Sequence, residues 1–136
     1  MESRVQKTLE NHKKGYNCCQ AVACAYCDLV GLDEATVFRA AEAFGAGMGG
    51  MQTTCGAVSG AVLLAGLKNS SADLENPTSK GASYKLSKKI VEEFRAKNSS
   101  VVCKDLKGVE TKKVLRSCDG CIEDAAALVE QILFAE

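Results

Sequence analysis

Eight cysteines in 136 residues carry the chemistry of this chain: Cys18, Cys19, Cys24, Cys27, Cys55, Cys103, Cys118 and Cys121. A thiolate, rather than a thiol, ligates metal or attacks a disulfide, so the useful question is where a thiolate is stabilised. Helix N-termini do this through unpaired backbone N–H groups and the helix dipole. Cys18 follows an Asn17 cap, Cys55 follows Thr54 and a glycine-rich loop, and Cys118 precedes the last expected helix. Two CxxC spacings occur, Cys24-Ala-Tyr-Cys27 and Cys118-Asp-Gly-Cys121. Residues three apart on a helix share a face, so either pair can chelate or close a disulfide. Asp119 and Gly120 suit a turn, which makes Cys118 and Cys121 the better dithiol and the candidate catalytic pair for thiol–disulfide exchange. Cys24 and Cys27 lie among Ala21, Val22, Ala23, Ala25 and Tyr26, where cysteine reads as a small buried side chain. Cys19 is open to either role.

The spacing is not that of a zinc finger or a ferredoxin, which cluster their C-x2-C units. Here the fold must gather dispersed cysteines. Thiolate-only ligation suits an iron–sulfur cluster, zinc or copper(I), and not magnesium or calcium. The alternatives are a metal-free thiol–disulfide oxidoreductase, a metal-sensing or storage module, and a structural domain with buried cysteines. Other chemistry is thin. His12, between Asn11 and Lys13, reads as a surface histidine, and the lack of a second histidine excludes a serine triad. The run Gly45-Ala-Gly-Met-Gly-Gly follows an expected helix rather than a strand and contains no lysine, so it is not a nucleotide-binding loop. Gly45, Gly47, Gly49 and Gly50 are instead expected to wrap the Cys55 site and offer backbone donors to a bound cofactor. Met48 and Met51 are soft side chains read as packing residues, and Tyr16 either shields a site or sits in the core.

The elements that must position these residues are helices. Ser3 opens a first helix that Gly15 ends. Asn17 caps a second, Cys18 to Val30, closed by Gly31. Asp33 caps a third, reaching about Phe44. After the glycine loop, Thr53 or Thr54 restarts a helix to about Leu67. Its Gly56, Ala57, Ser59, Gly60 and Ala61 allow close approach of another helix, from the same chain or from a second copy in a homodimer. Residues 68–79 read as loop, 82–96 as an amphipathic helix, Val102 to Leu106 as a short helix stopped by Gly108, and Gly120 to Phe134 as the last helix. Alternating β-branched runs are absent. The expectation is an all-α, compact single-domain bundle of about five to seven helices with a Gly-rich loop, spanning 1–136.

Bulk properties set outer bounds. Lys plus Arg and Asp plus Glu are 17 each, so nothing in the net charge points to nucleic acid. The basic run Lys104, Lys107, Lys112, Lys113 and Arg116 reads as a solvated face. No apolar stretch is long enough to span a membrane and the first residues do not form a signal peptide, so a cytoplasmic home is expected. In that compartment cysteines serve metals or catalysis more often than structural disulfides.

In combination these segments resemble the redox-active family named for its dispersed motif C…GCAxxG…C…C. The matching segments are Gly15-Tyr16-Asn17-Cys18, followed by Gln20, Ala21 and Val22; then Thr54-Cys55-Gly56-Ala57-Val58-Ser59-Gly60 after Phe44-Gly45; then Cys103-Lys104-Asp105-Leu106; then Cys118, leading to Asp124-Ala125. The resemblance implies an α-helical domain with Cys18, Cys55, Cys103 and Cys118 as the family cysteines and metal ligands. It also implies a relation to a domain of split-Soret cytochrome c, in which an iron–sulfur cluster accompanies the haems. An iron–sulfur cluster is thus the expected cofactor and a redox protein the expected partner. Covalent haem is not expected, because the chain has no CxxCH. Cys19, Cys24, Cys27 and Cys121 are additions to the family pattern.

Overall fold

The computed structural model describes residues 1–135. The helices follow one another as α1 (Val5–Lys13), α2 (Cys18–Ala25), α3 (Glu34–Ala41), α4 (Gly56–Asn69), α5 (Lys80–Asn98), α6 (Cys103–Lys107) and α7 (Cys118–Leu128). Short 3₁₀ turns at Cys27–Val30 and Glu42–Phe44 extend α2 and α3, and a π-turn at Val129–Leu133 extends α7. Among the described residues there is no strand; the only bridge is the antiparallel pair Thr54 and Val102. The all-helical, compact single-domain architecture is the one expected.

The helix α4 is central, packed by α2, α5 and α7. Val22, Tyr26, Val58, Leu64, Ile90, Phe94, Ile122 and Val129 are all fully buried around it. Burial of such side chains contributes about 1.5–3 kcal/mol each and drives the association of these short helices, which are marginal alone. The small-residue face of α4 is used within the chain. A Cβ at Gly60 would stand 2.8 Å from the Cys19 carbonyl oxygen and 3.2 Å from Val22 Cβ, so this glycine permits the α2–α4 contact.

Helix boundaries follow their caps, with four corrections; the first is that neither Thr53 nor Thr54 starts α4, whose N-cap is Cys55, because Thr54 is held in the bridge to Val102. Asn17 caps α2 as expected, in a full capping box: its side chain accepts from Gln20 N–H, and the Gln20 side chain accepts from Asn17 N–H. The expected continuous helix to Val30 breaks at Tyr26, whose φ of −119° leaves the helical region before the 3₁₀ turn begins. Ser3 does not cap α1; Arg4 holds that position without a side-chain cap. Cys118 does not precede the last helix but begins it, because Ser117 is the cap and accepts from Gly120 N–H. No helix among the described residues is long and apolar enough to cross a membrane.

Candidate functional site: a cavity lined by five thiols

Four helices start around one cavity. Cys18, Cys103 and Cys118 are the first residues of α2, α6 and α7, and Cys55 is the N-cap of α4. All four line the same cavity, together with Cys121 one turn into α7, Ala46, Gly47, Gly56, Leu106, Lys107 and Arg116. The space left between them is about 10 Å³, room for one water-sized atom. Cys55, Cys103 and Cys121 are buried, and Cys18 and Cys118 are partly exposed.

Backbone pairing explains the convergence. Cys55 N–H donates to Val101 O at 2.7 Å and Cys103 N–H to Thr53 O at 2.9 Å, so the segments leading into α4 and α6 run antiparallel and bring their cysteines together. The N–H groups of Leu115 and Arg116 both donate to Leu106 O, which draws the lead-in of α7 to the end of α6. Arg116 then bonds Asp124 in a two-pronged contact, Nε to Oδ2 at 3.1 Å and Nη2 to Oδ1 at 3.3 Å. The same carboxylate accepts from Lys97 Nζ at 2.7 Å and Asn98 Nδ2 at 3.1 Å. Burial pushes the Asp124 acid upward, but the bonds from Lys97, Asn98 and Arg116 outweigh it and hold the group ionised well below its usual range.

The loop over the cavity is coiled the wrong way for L-residues. Every residue from Ala46 to Met51 has positive φ, including the non-glycines Ala46, Met48 and Met51. The turn is tied by Met51 N–H to Ala46 O at 2.6 Å and Thr53 N–H to Gly47 O at 2.9 Å. Of the four glycines expected to cradle a cofactor, only Gly47 lines the cavity. A Cβ there would stand 2.3 Å from Cys103 Cβ. Gly45 instead makes room for the Asn17 side chain, which donates to Glu42 O at 2.8 Å. Gly49 and Gly50 are exposed and supply only the turn. Tyr16 packs on the other side of α2, its ring edge-on to Phe38 at 5.0 Å and its hydroxyl on Glu34. Met48 and Met51 do not line the cavity.

The thiols differ sharply in acidity. The Cys121 S–H donates to Cys55 and draws that thiol down to about 7; burial opposes this, and the N–H groups of Ala57 and Val58 assist. The pair shares one proton, held on Cys121, whose own ionisation is pushed far up. Burial, then the neighbouring Cys55 and Cys118 charges, push Cys18 up to about 12. Burial also raises Cys103. Lys107 reaches Cys118 and is held protonated by it, so the cavity contains a fixed cation among its sulfurs. Of the expected catalytic pair, Cys121 therefore bonds Cys55, while Cys118 faces Lys107. Lys107 and Arg116 were not singled out as site residues; the basic run contained them without distinguishing the inward pair. His12 is less exposed than its sequence suggests. Its Nδ1 lies 2.7 Å from Asp119 Oδ1, inside the second CxxC.

These five thiols are soft donors of the type that an iron–sulfur group or a thiophilic metal requires. Among the described residues, no three His, Cys, Asp or Glu side chains already stand at metal-ligating spacing.

Fold and site together define a small helical protein that concentrates thiols at converging helix starts. The chain belongs to the C_GCAxxG_C_C family, described as "Putative redox-active protein", whose pattern it matches over residues 16–132. A redox role follows from that membership. No curated protein and no solved structure matches the chain. The family motif is written Gly-Cys-Ala-x-x-Gly, whereas the order here is Cys55-Gly56-Ala57-Val58-Ser59-Gly60. A Cβ at position 56 would stand 3.1 Å from Cys18 Cβ, so this order keeps the N-terminus of α4 against that of α2.

Proposed function

We propose that this protein transfers electrons at the five-thiol cavity, and that the redox group is an iron–sulfur cluster held by Cys18, Cys55, Cys103 and Cys118. The observation that carries this reading is the convergence of five cysteines from four helix starts, more thiols than a dithiol exchange needs. The chemistry of the donors fits. A cluster supplies one-electron chemistry to a set of thiolates that the helix N-termini, the Ala57 and Val58 amides and the Lys107 ammonium help to neutralise. The hollow must widen to admit the group, and the turn from Ala46 to Met51 is the wall with conformational energy to release. Arg116 and Asp124 fix the opposite wall. A redox protein is the proposed partner, and the cytoplasm the proposed compartment, where thiols stay reduced.

A second reading is favoured by one bond, that of Cys121 to Cys55. In it the Cys55 thiolate attacks a disulfide and Cys121 resolves the mixed disulfide, without metal. Anaerobic purification separates the two. Iron and acid-labile sulfide in the protein, with visible absorbance that bleaches on reduction, support the cluster. A colourless, iron-free protein with a titratable Cys55–Cys121 disulfide overturns the cluster in favour of the dithiol.

A further inference from the structure

The segment Cys24-Ala25-Tyr26-Cys27, at the far end of α2, is anchored as firmly as the cavity itself. Arg4 Nη1 donates to the Ala25 carbonyl at 2.9 Å, and the same guanidinium grips Asp28 with both nitrogens, at 2.6 Å and 3.2 Å. Tyr26 is wholly buried, donates its hydroxyl to Glu130 and stacks on Phe134 at 6.0 Å between centroids. The residues between the two cysteines are therefore fixed, Tyr26 in the core, while Asp28 is held at the surface by Arg4. The thiols themselves turn away, into a separate apolar cluster with Cys19, Val37 and Ala41.

Both thiols border an open pocket of about 490 Å³, with Arg4, Lys7, Asp28 and Glu34 around it. Arg4 pairs with Asp28, and Glu34 accepts from the Tyr16 hydroxyl while keeping its charge, so the two cations and two carboxylates around the pocket balance. Side chains three residues apart on a helix stand about 5–6 Å apart at Cβ. A disulfide needs about 3.5–4.5 Å, a small closure at a point where the α-helix has already given way to a tighter turn.

We infer that Cys24 and Cys27 form a second redox dithiol, independent of the cavity, which is oxidised to an intramolecular disulfide by a low-molecular-weight disulfide. Cys27 loses its proton to solvent and attacks one sulfur of the small disulfide. That S–S bond breaks, and one small thiol leaves with the electron pair and takes up a proton. Cys24, deprotonated in turn, attacks the Cys27 sulfur of the mixed disulfide, forms the Cys24–Cys27 bond and expels the second small thiol, which is protonated. The protein loses two electrons and two protons, and the small disulfide gains both. Burial, then the Glu34 charge, push the Cys24 thiol up to about 12, so the exchange accelerates as pH rises.

The test uses the full-length protein, kept anaerobic, with glutathione disulfide as probe, followed by acid quenching, alkylation and fragment-ion mass spectrometry. Trypsin releases residues 15–39 as one peptide containing Cys18, Cys19, Cys24 and Cys27. The expected result is joint loss of alkylation at Cys24 and Cys27, with a disulfide between them. Cys24→Ser should retain the glutathione adduct on Cys27. Full alkylation of Cys24 and Cys27 in the treated wild-type protein would overturn the inference. So would a disulfide joining either of them to Cys18 or Cys19.

Discussion

The helix α2 has cysteines at both ends, about 9 Å apart along its axis at 1.5 Å per residue, and the two ends present opposite fields. At the start, Cys18 meets three other helix starts, the Lys107 ammonium and inward-facing amides. At the finish, Cys24 and Cys27 meet the negative end of the same helix, with Glu34 and Asp28 nearby. Burial alone raises thiols at both ends. Only where directed N–H and S–H donors are added does one of them, Cys55, ionise near neutrality. Cysteine count therefore says little about reactivity; the donors aimed at each sulfur decide it. Five sulfurs in one cavity cannot all carry charge with Lys107 to balance them, since Arg116 is engaged by Asp124, and the proposed cluster is placed at this end for that reason.

The comparison can be broken most severely at the wall of the cavity. Gly47→Ala would place a methyl group 2.3 Å from Cys103 Cβ in a left-handed conformation. Overpacking and the conformational cost should remove about 3–4 kcal/mol in denaturant unfolding. Gly49→Ala, also left-handed but facing open space, should cost only about 1–2 kcal/mol. Equal losses would mean that the wall is not tightly packed.

Next in size is Asp124→Ala, which leaves Arg116, Lys97 and Asn98 without their shared acceptor and should cost about 2–3 kcal/mol. Because the folded-state acidity of Asp124 is depressed, its contribution is present above the ordinary carboxylate value of 3.8 and fades as pH falls through the lower folded value. Wild-type and variant unfolding curves should therefore converge in strong acid. In the opposite direction, Ala46→Gly relieves one left-handed residue and should stabilise the protein by about 1 kcal/mol. A loss of stability would refute strain in the turn.

The pH dependence of alkylation sharpens the contrast without changing stability much. In metal-free reduced protein, Cys55 should react half-maximally near pH 7, and Cys24 only well above its ordinary value of 9.0. The Cys55 thiolate contributes stability above that ordinary value and loses it as pH falls through about 7. Coincident profiles for the two cysteines would remove the basis of the comparison.

Much of this was legible in the sequence. Helical periodicity and the Asn17 and Asp33 caps gave the bundle, because capping and amphipathic burial are local rules. The four family cysteines were legible from the motif, and the helix start at Cys18 from its Asn17 cap; Cys55 is itself the N-cap of α4, and Cys118 begins α7 behind an unread Ser117 cap. Cys103 was read at the start of a short helix, but its meeting with Cys55 was not legible, because that depends on the non-local pairing of Thr54 with Val102. Lys107 and Arg116 were hidden in a basic run for the same reason: which lysine turns inward is decided by the α6–α7 connection. The break at Tyr26 was invisible because every residue there is compatible with a helix. Its cause is the burial of that ring against Phe134 and Glu130, more than a hundred residues away.

The most direct test of the redox centre compares Cys55→Ser with Cys24→Ser, each prepared anaerobically beside the wild-type protein, by iron and acid-labile sulfide per chain. The account predicts that Cys55→Ser loses both iron and sulfide, while Cys24→Ser retains wild-type amounts. Iron and sulfide unchanged in Cys55→Ser, or lost equally from Cys24→Ser, would contradict it.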